Sequence, residues 1–143
     1  MKVNQFMTKD VRTVTPDSTV QEAARIMADC NCGAVPVVQG DKVVGMITDR
    51  DIVLRSVTKG GDPRTDKVST CMTSDVVSVT PDTDAHEAAN LMANRQIRRL
   101  PVVENGRLCG IVALGDMATV NIHVNEAGDA LSQISEPSRP GAH

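Results

Sequence analysis

"GMITDRD" at residues 45–51 returns as "GIVALGD" at residues 110–116. Both stretches keep a glycine, an apolar run and a closing aspartate, but Thr48 of the first becomes Ala113 of the second. Working outward, the chain aligns with itself without a gap at an offset of about 65 residues, 3–57 on 68–122. Met7-Thr8 falls on Met72-Thr73, "VTPD" at 14–17 on 79–82, "EAA" at 22–24 on 87–89, and "PVV" at 36–38 on 101–103. Roughly a third of the aligned positions are identical, the mark of an internal duplication.

Each copy carries the same order of local signals. A short β-branched stretch (Val11–Val14; Val76–Val79) runs into Thr-Pro-Asp, where proline ends strand pairing and opens a turn. A helix is predicted over Thr19–Cys30 and over Asp84–Arg95, because Val20, Ala23, Ala24 and Met27 recur at helical spacing behind an acidic first turn. Gly33 in one copy and the region of Arg98 in the other are expected to end it. Two strands follow, Val35–Val38 with Val43–Thr48, then Leu100–Val103 with Leu108–Ala113. "QGDK" and "ENGR" supply their turns. A second helix begins at Thr48 or Ala113. The fold class is therefore α/β of the α+β type: two β-α-β-β-α repeats. One repeat of about 55 residues is marginal alone, so the two are expected to pack sheet to sheet about a pseudo-two-fold.

The predicted organisation is repeat 1 over residues 1–57, a Gly-, Pro- and charge-rich linker over 58–67, and repeat 2 over 68–125. Residues 126–143 are expected to hold a short helix through Ala127, Leu131 and Ile134 and a disordered tail.

Composition narrows the function. The net charge of −3 is mixed in sign, and Phe6 is the only aromatic residue, so nucleic acid is not an expected partner. The start "MKVNQFMTKD" has no apolar signal region and no run approaches spanning length, so no membrane role and a cytoplasmic location are expected. Among the four cysteines only Cys30 and Cys32 are close, with no histidine beside them, so neither a metal nor a disulfide is expected. Cys32, Cys71 and Cys109 align with Ile97, Phe6 and Val44, positions where a reduced thiol serves as a small hydrophobe. His86, His123 and His143 are isolated, and no nucleophile–base–acid set, zinc motif or phosphate loop is present, so no catalytic residue is assigned.

Thr48-Asp49-Arg50-Asp51 has the spacing of a capping box, in which threonine caps the helix and Asp51 reaches back to the Thr48 amide. The same junction also suits a ligand. A helix start presents amides and a positive dipole end to an anion, Thr48 adds a hydroxyl, and Asp51 can accept both hydroxyls of a ribose. Asp116 persists where Thr48 is replaced by Ala113, and that retention favours the ligand reading.

The duplicated order "VTPD…EAA…M…PVV…GMITDRD" resembles a tandem pair of CBS domains, the modules named after cystathionine β-synthase, over residues 3–122. The likeness is greatest to small stand-alone bacterial proteins made of one such pair. The resemblance implies adenosine nucleotides bound in the clefts between repeats, with Thr48 and Asp51 on phosphate and ribose and Asp116 alone serving in the second copy. It also implies apolar groups around the adenine, at Thr13, Val14, Val35 and Pro36. Arg98 and Arg99 stand where family members often direct basic residues at phosphates, a task that suits the guanidinium fork. The expectation is a non-catalytic regulatory module needing no cofactor, with AMP, ADP or ATP as ligand, acting in trans on an unknown protein effector, and forming a homodimer. A ligand-free assembly protein is the alternative, and a sensor of NAD or S-adenosylmethionine is another.

Overall fold

The computed structural model describes residues 1–119. The helix expected through Ala127, Leu131 and Ile134, the tail, His123 and His143 lie outside the described residues. The chain divides into two compact units. The first comprises Arg12–Val76 with Gly106–Leu108, and the second comprises, among the described residues, Met1–Val11, Val77–Asn105 and 109–119.

In the first unit, α1 (Val20–Cys30) starts at Thr19, whose side chain accepts from the Glu22 amide. It buries Val20, Ala23, Ile26 and Met27; of the expected stripe Ala24 is exposed instead, and Ile26 completes the buried face. The hairpin follows as β1 (Ala34–Gln39) and β2 (Lys42–Thr48), with Ala34 opposite Thr48, Val35 opposite Ile47 and Pro36 opposite Met46. Helix α2 (Asp49–Ile52) leads directly into a π-helical turn over Val53–Val57. Val14, Val20, Ala23, Ile26, Met27, Val35, Val37 and Ile47 form its core together with Val68 and Cys71.

The second unit repeats the plan. Helix α3 (Ala85–Arg95) is capped by Asp84, β3 (Arg99–Glu104) and β4 (Arg107–Ala113) follow, and α4 (Leu114–Thr119) closes the described chain. Asn105 and Gly106 both take positive φ (54° and 81°), as a tight turn between twisted strands requires. Its core joins Val3 to Ala85, Ala88, Ala89, Met92, Leu100, Val102, Val112 and Met117.

Three local expectations are corrected. The leading strand of each repeat is reduced to one parallel bridge, Val14 beside Val37 and Val79 beside Val102, because the Thr-Pro-Asp turn begins at the next residue. Helices α1 and α3 end at Asn31 (φ 52°) and Gln96 (φ 55°), not at Gly33 or Arg98. The left-handed residue lets the next amide, of Cys32 or Ile97, donate to the Met27 or Met92 carbonyl at 3.0 Å. Lastly, Cys30 and Cys32 form a disulfide where reduced thiols were expected. Cys71 is buried and Cys109 packs against the core of the second unit, as their apolar counterparts imply.

The compact units are not the sequence repeats. Val3 sits in the core with the second copy's residues and Val68 with the first copy's. Thr8 bridges Ile111 through two backbone hydrogen bonds (2.8 and 2.9 Å), and Thr73 bridges Met46 (2.8 and 3.0 Å). Arg55 fastens the latter segment by donating from Nη1 to the carbonyls of Cys71 (3.2 Å) and Met72 (3.0 Å). The Gly- and Pro-rich segment 58–67 is tied to the first unit as well. The Val20 amide donates to Asp66, the Gln21 amide to Pro63, and the Ser56 hydroxyl to the Asp66 carboxylate. Within that segment Arg64 forks onto Asp62, a hydrogen-bonded pairing that holds the Asp62 carboxyl below its ordinary range.

Candidate functional site

At the end of β2 the chain turns straight into α2, and the polar groups of "TDRD" close on one another. The Asp51 amide donates to Thr48 Oγ1 at 3.0 Å, and the Thr48 amide donates to Asp51 Oδ2 at 3.0 Å. This is a complete capping box. The Asp49 amide donates to the Gly33 carbonyl at 3.0 Å, and the Arg50 amide to Asp49 Oδ1 at 2.8 Å. The amides expected to be open to an anion thus have protein acceptors already.

What remains for a ligand is narrower and more specific. Thr48 Oγ1 accepts from an amide, which leaves its O–H proton for another acceptor. Asp51 commits Oδ2 to the box, and Oδ1 meets no donor among the described residues. Both residues are half-buried, so their polar groups stay open to solvent on one side of a firmly held turn.

The other residues assigned to this copy lie in the same unit. Val14 pairs with β1, its amide donating to Pro36 and its carbonyl accepting from Val38. Thr48 faces Ala34 across the hairpin, so Val14, Val35, Pro36 and Thr48 occupy neighbouring positions of the bridge and hairpin, with Thr13 next to Val14 and Asp51 in the first turn of α2. Their surfaces differ. Val14 (4 % exposed), Val35 (1 %) and Pro36 are core, and Thr13 alone of those four keeps side-chain surface for a base.

The second unit holds Arg98, Arg99 and Asp116. The Arg98 carbonyl accepts from the first amide of α4, Leu114, at 2.9 Å, matching Gly33 and Asp49. Arg98 is exposed and Arg99 half-buried. The Ala113 amide donates to Asp116 Oδ2 at 3.0 Å, so the carboxylate half of the box survives without the threonine. This corrects the inference drawn from Asp116: a capping aspartate keeps a task when its partner becomes alanine, so its retention does not by itself indicate a ligand.

The two junctions predict reciprocal changes in stability. Thr48→Ala is expected to cost about 1 kcal/mol by removing the cap on the Asp51 amide, and Ala113→Thr to add a similar amount by completing the second box. Urea unfolding of the two variants checks this. A loss in both would show that Ala113 lacks room for a hydroxyl.

Two contacts that position the site are not legible in the sequence. One is the tie from Gly33 to Asp49. The other is the Arg55 clamp, whose only signal is a basic residue where the second copy has Val120. Among the described residues no three His, Cys, Asp or Glu side chains cluster to hold a metal ion, and no helix is long and apolar enough to cross a membrane.

Comparison with known proteins places this geometry. The family model for the CBS domain matches residues 3–57 and 68–122, the two sequence copies. The CBS domain-containing protein YhcV of Bacillus subtilis is 47 % identical over 133 residues, covering 93 % of this chain and 94 % of that protein. The uncharacterized protein YlbB of the same organism is 44 % identical over 137 residues, covering 94 % and 92 %. Among solved structures, the CBS-domain containing protein ATU1752 from Agrobacterium tumefaciens matches with a TM-score of 0.76 and 32 % identity, over 85 % of this chain and all of that one (100 %).

Proposed function

The chain belongs to the CBS-domain family, and from that premise we propose that it is a non-catalytic regulatory module binding an adenosine-containing ligand on the first unit. The observation that carries this reading is the Thr48–Asp51 pair, locked by its own box yet retaining a hydroxyl proton and a carboxylate oxygen for a ligand. Asp51 Oδ1 suits a ribose hydroxyl donor, and the Thr48 O–H suits a phosphate oxygen. With the first-turn amides occupied, phosphate affinity depends on side chains, and Arg98 and Arg99 are the basic residues proposed for that role. AMP, ADP and ATP are the favoured ligands. NAD and S-adenosylmethionine share the adenosine and belong in the same trial.

Ligand raises the apparent stability of the state it binds, so a thermal-shift panel of these five compounds beside adenosine, followed by calorimetry on the best, tests the reading. The expected result is a shift with at least one adenine nucleotide that adenosine alone reproduces only in part. No shift with any compound would favour the ligand-free assembly protein. Magnesium-dependent release of phosphate from ATP would overturn the non-catalytic assignment. Changing Arg98 or Arg99 to Ala is expected to weaken AMP and ATP about tenfold while sparing adenosine, the loss of a charged hydrogen bond. Equal weakening of all three would indicate a folding defect.

A second observation bears on assembly. Val53, Leu54 and Val57 on the turn after α2 are 50 %, 45 % and 60 % exposed, an apolar face without cover among the described residues. We propose that it joins two copies into a homodimer, through which ligand occupancy passes to an effector that binds one state better than the other. Leu54→Glu is expected to turn the dimer into a folded monomer in sedimentation experiments. A wild-type chain already monomeric at tens of micromolar, an order-of-magnitude test range, would exclude the assembly.

A further inference from the structure

The Cys30–Cys32 disulfide has no use in the nucleotide reading, and it does little for the fold. Disulfide stabilisation grows with the length of the loop closed, and this bridge spans a separation of two residues. The end of α1 is secured without it, since the Asn31 and Cys32 amides both donate to the Met27 carbonyl. The second unit ends α3 in the same left-handed turn with Arg95 and Ile97 at the matching positions, and holds it with no sulfur chemistry.

The position of the pair is what distinguishes it. Cys30 is exposed and Cys32 half-buried, so a thiol in solution can reach the bridge. Cys32 is followed by Gly33, whose carbonyl accepts from the Asp49 amide at 3.0 Å, and then by Ala34, which pairs with Thr48. The two residues lie close: a Cβ at Gly33 would be 3.2 Å from an Asp49 carboxylate oxygen. The bridge is therefore one residue from the carbonyl that anchors the first turn of α2, where Thr48 and Asp51 stand.

We propose that Cys30–Cys32 is a thiol–disulfide exchange site whose redox state is transmitted through Gly33 to the start of α2. The co-reactant is a low-molecular-weight thiol. Its thiolate attacks Sγ of Cys30, the more exposed residue; a mixed disulfide forms, the Sγ–Sγ bond breaks, and Cys32 leaves as a thiolate that takes a proton from solvent. A second thiolate attacks the sulfur of the first reductant molecule, releasing the Cys30 thiolate and the oxidised reductant. Two electrons enter the protein and two thiols become one disulfide. An exposed bridge of this kind is poised to exchange with a cellular thiol pool, unlike a buried structural one. That the signal alters ligand binding rests on the nucleotide reading above; the exchange chemistry does not.

The test uses the full chain in glutathione buffers of graded reduced-to-oxidised ratio, quenched with acid, alkylated and analysed by peptide mass. Cys30 and Cys32 are expected to convert together and reversibly within the range that glutathione spans. A pair that stays bridged in reduced glutathione alone, or that never re-forms with excess oxidised glutathione, would overturn the exchange site. Amide hydrogen exchange of wild-type protein at the two extremes tests the transmission without any nucleotide. Asp49 is expected to exchange about threefold or more faster when the pair is reduced, as its local anchor loosens. The double variant Cys30→Ser with Cys32→Ser should show the faster rate in either buffer. Identical Asp49 exchange in reduced and oxidised wild type would overturn the coupling, whatever the outcome of the nucleotide panel.

Discussion

Gly110→Ala is expected to destabilise the protein by about 1–3 kcal/mol, the usual cost of forcing a methyl group into filled space. A Cβ at Gly110 would lie 2.6 Å from the Thr8 carbonyl oxygen and 3.1 Å from Met7 Sδ. The nearer obstacle is backbone, held by the two hydrogen bonds between Thr8 and Ile111, so the bridge must open or the strand must move. Each bond lost adds about 0.5–1.5 kcal/mol. Gly45→Ala meets a softer neighbour first, Met72 Sδ at 2.7 Å, with the Thr73 carbonyl at 3.0 Å. A methionine end can swing away, so this change is expected to cost less than its counterpart. Urea unfolding of both variants checks the order, and a Gly110→Ala protein as stable as wild type would remove the steric account. The glycine that opens both "GMITDRD" and "GIVALGD" is thus explained by a crossing segment, with no ligand involved.

That crossing segment marks the limit of what the sequence discloses. The helices, the hairpins and the two junctions follow from periodicity, turn residues and the repeat itself, because each is set by neighbours a few positions away. The pairing of Met7-Thr8 with Gly110, and of Met72-Thr73 with Gly45, is not. Self-alignment shows that the two Met-Thr segments are equivalent but not which copy each packs against, since both choices bury the same residue types. Val3 joins the second copy's core and Val68 the first's, an exchange that only three-dimensional structure displays. The Thr48–Asp51 pairing was legible as a capping box, whereas the occupation of the first amides was not. It depends on the Gly33 carbonyl and on which way the Asp49 side chain turns. Cys32, Cys71 and Cys109 align with apolar positions in the other copy, whereas Cys30 falls on Arg95. The apolar analogy holds for Cys71 in its core and fails for Cys32, half-buried and bridged to the exposed Cys30 at a helix end.

The two junctions differ most in what they offer a ligand, and the second large effect is expected there. Asp51→Ala should abolish most adenosine-nucleotide binding, while Asp116→Ala should change it little. At the first junction a phosphate oxygen can take the Thr48 proton while a ribose hydroxyl takes Asp51 Oδ1, and the box holds the two groups in fixed relation. At the second, Ala113 has no hydroxyl to give. A missing hydrogen bond to a charged oxygen is worth about 1.5–3 kcal/mol, or roughly tenfold and more in affinity. Capping complicates the measurement, because either substitution also strips a carboxylate from a helix start, at a cost of about 1 kcal/mol. Asp51→Asn separates the effects: its amide oxygen can still accept from the Thr48 amide, so stability should largely recover while nucleotide affinity should not. Calorimetric titration of the three variants beside urea unfolding decides the matter. Two equal sites in wild type, with both aspartate variants equally impaired, would falsify the asymmetry and point to Arg98 or Arg99 making good the missing hydroxyl. Ala113→Thr is the converse experiment. If it completes the second capping box and stabilises the protein, yet leaves affinity unchanged, the hydroxyl at this junction serves the helix and not a ligand.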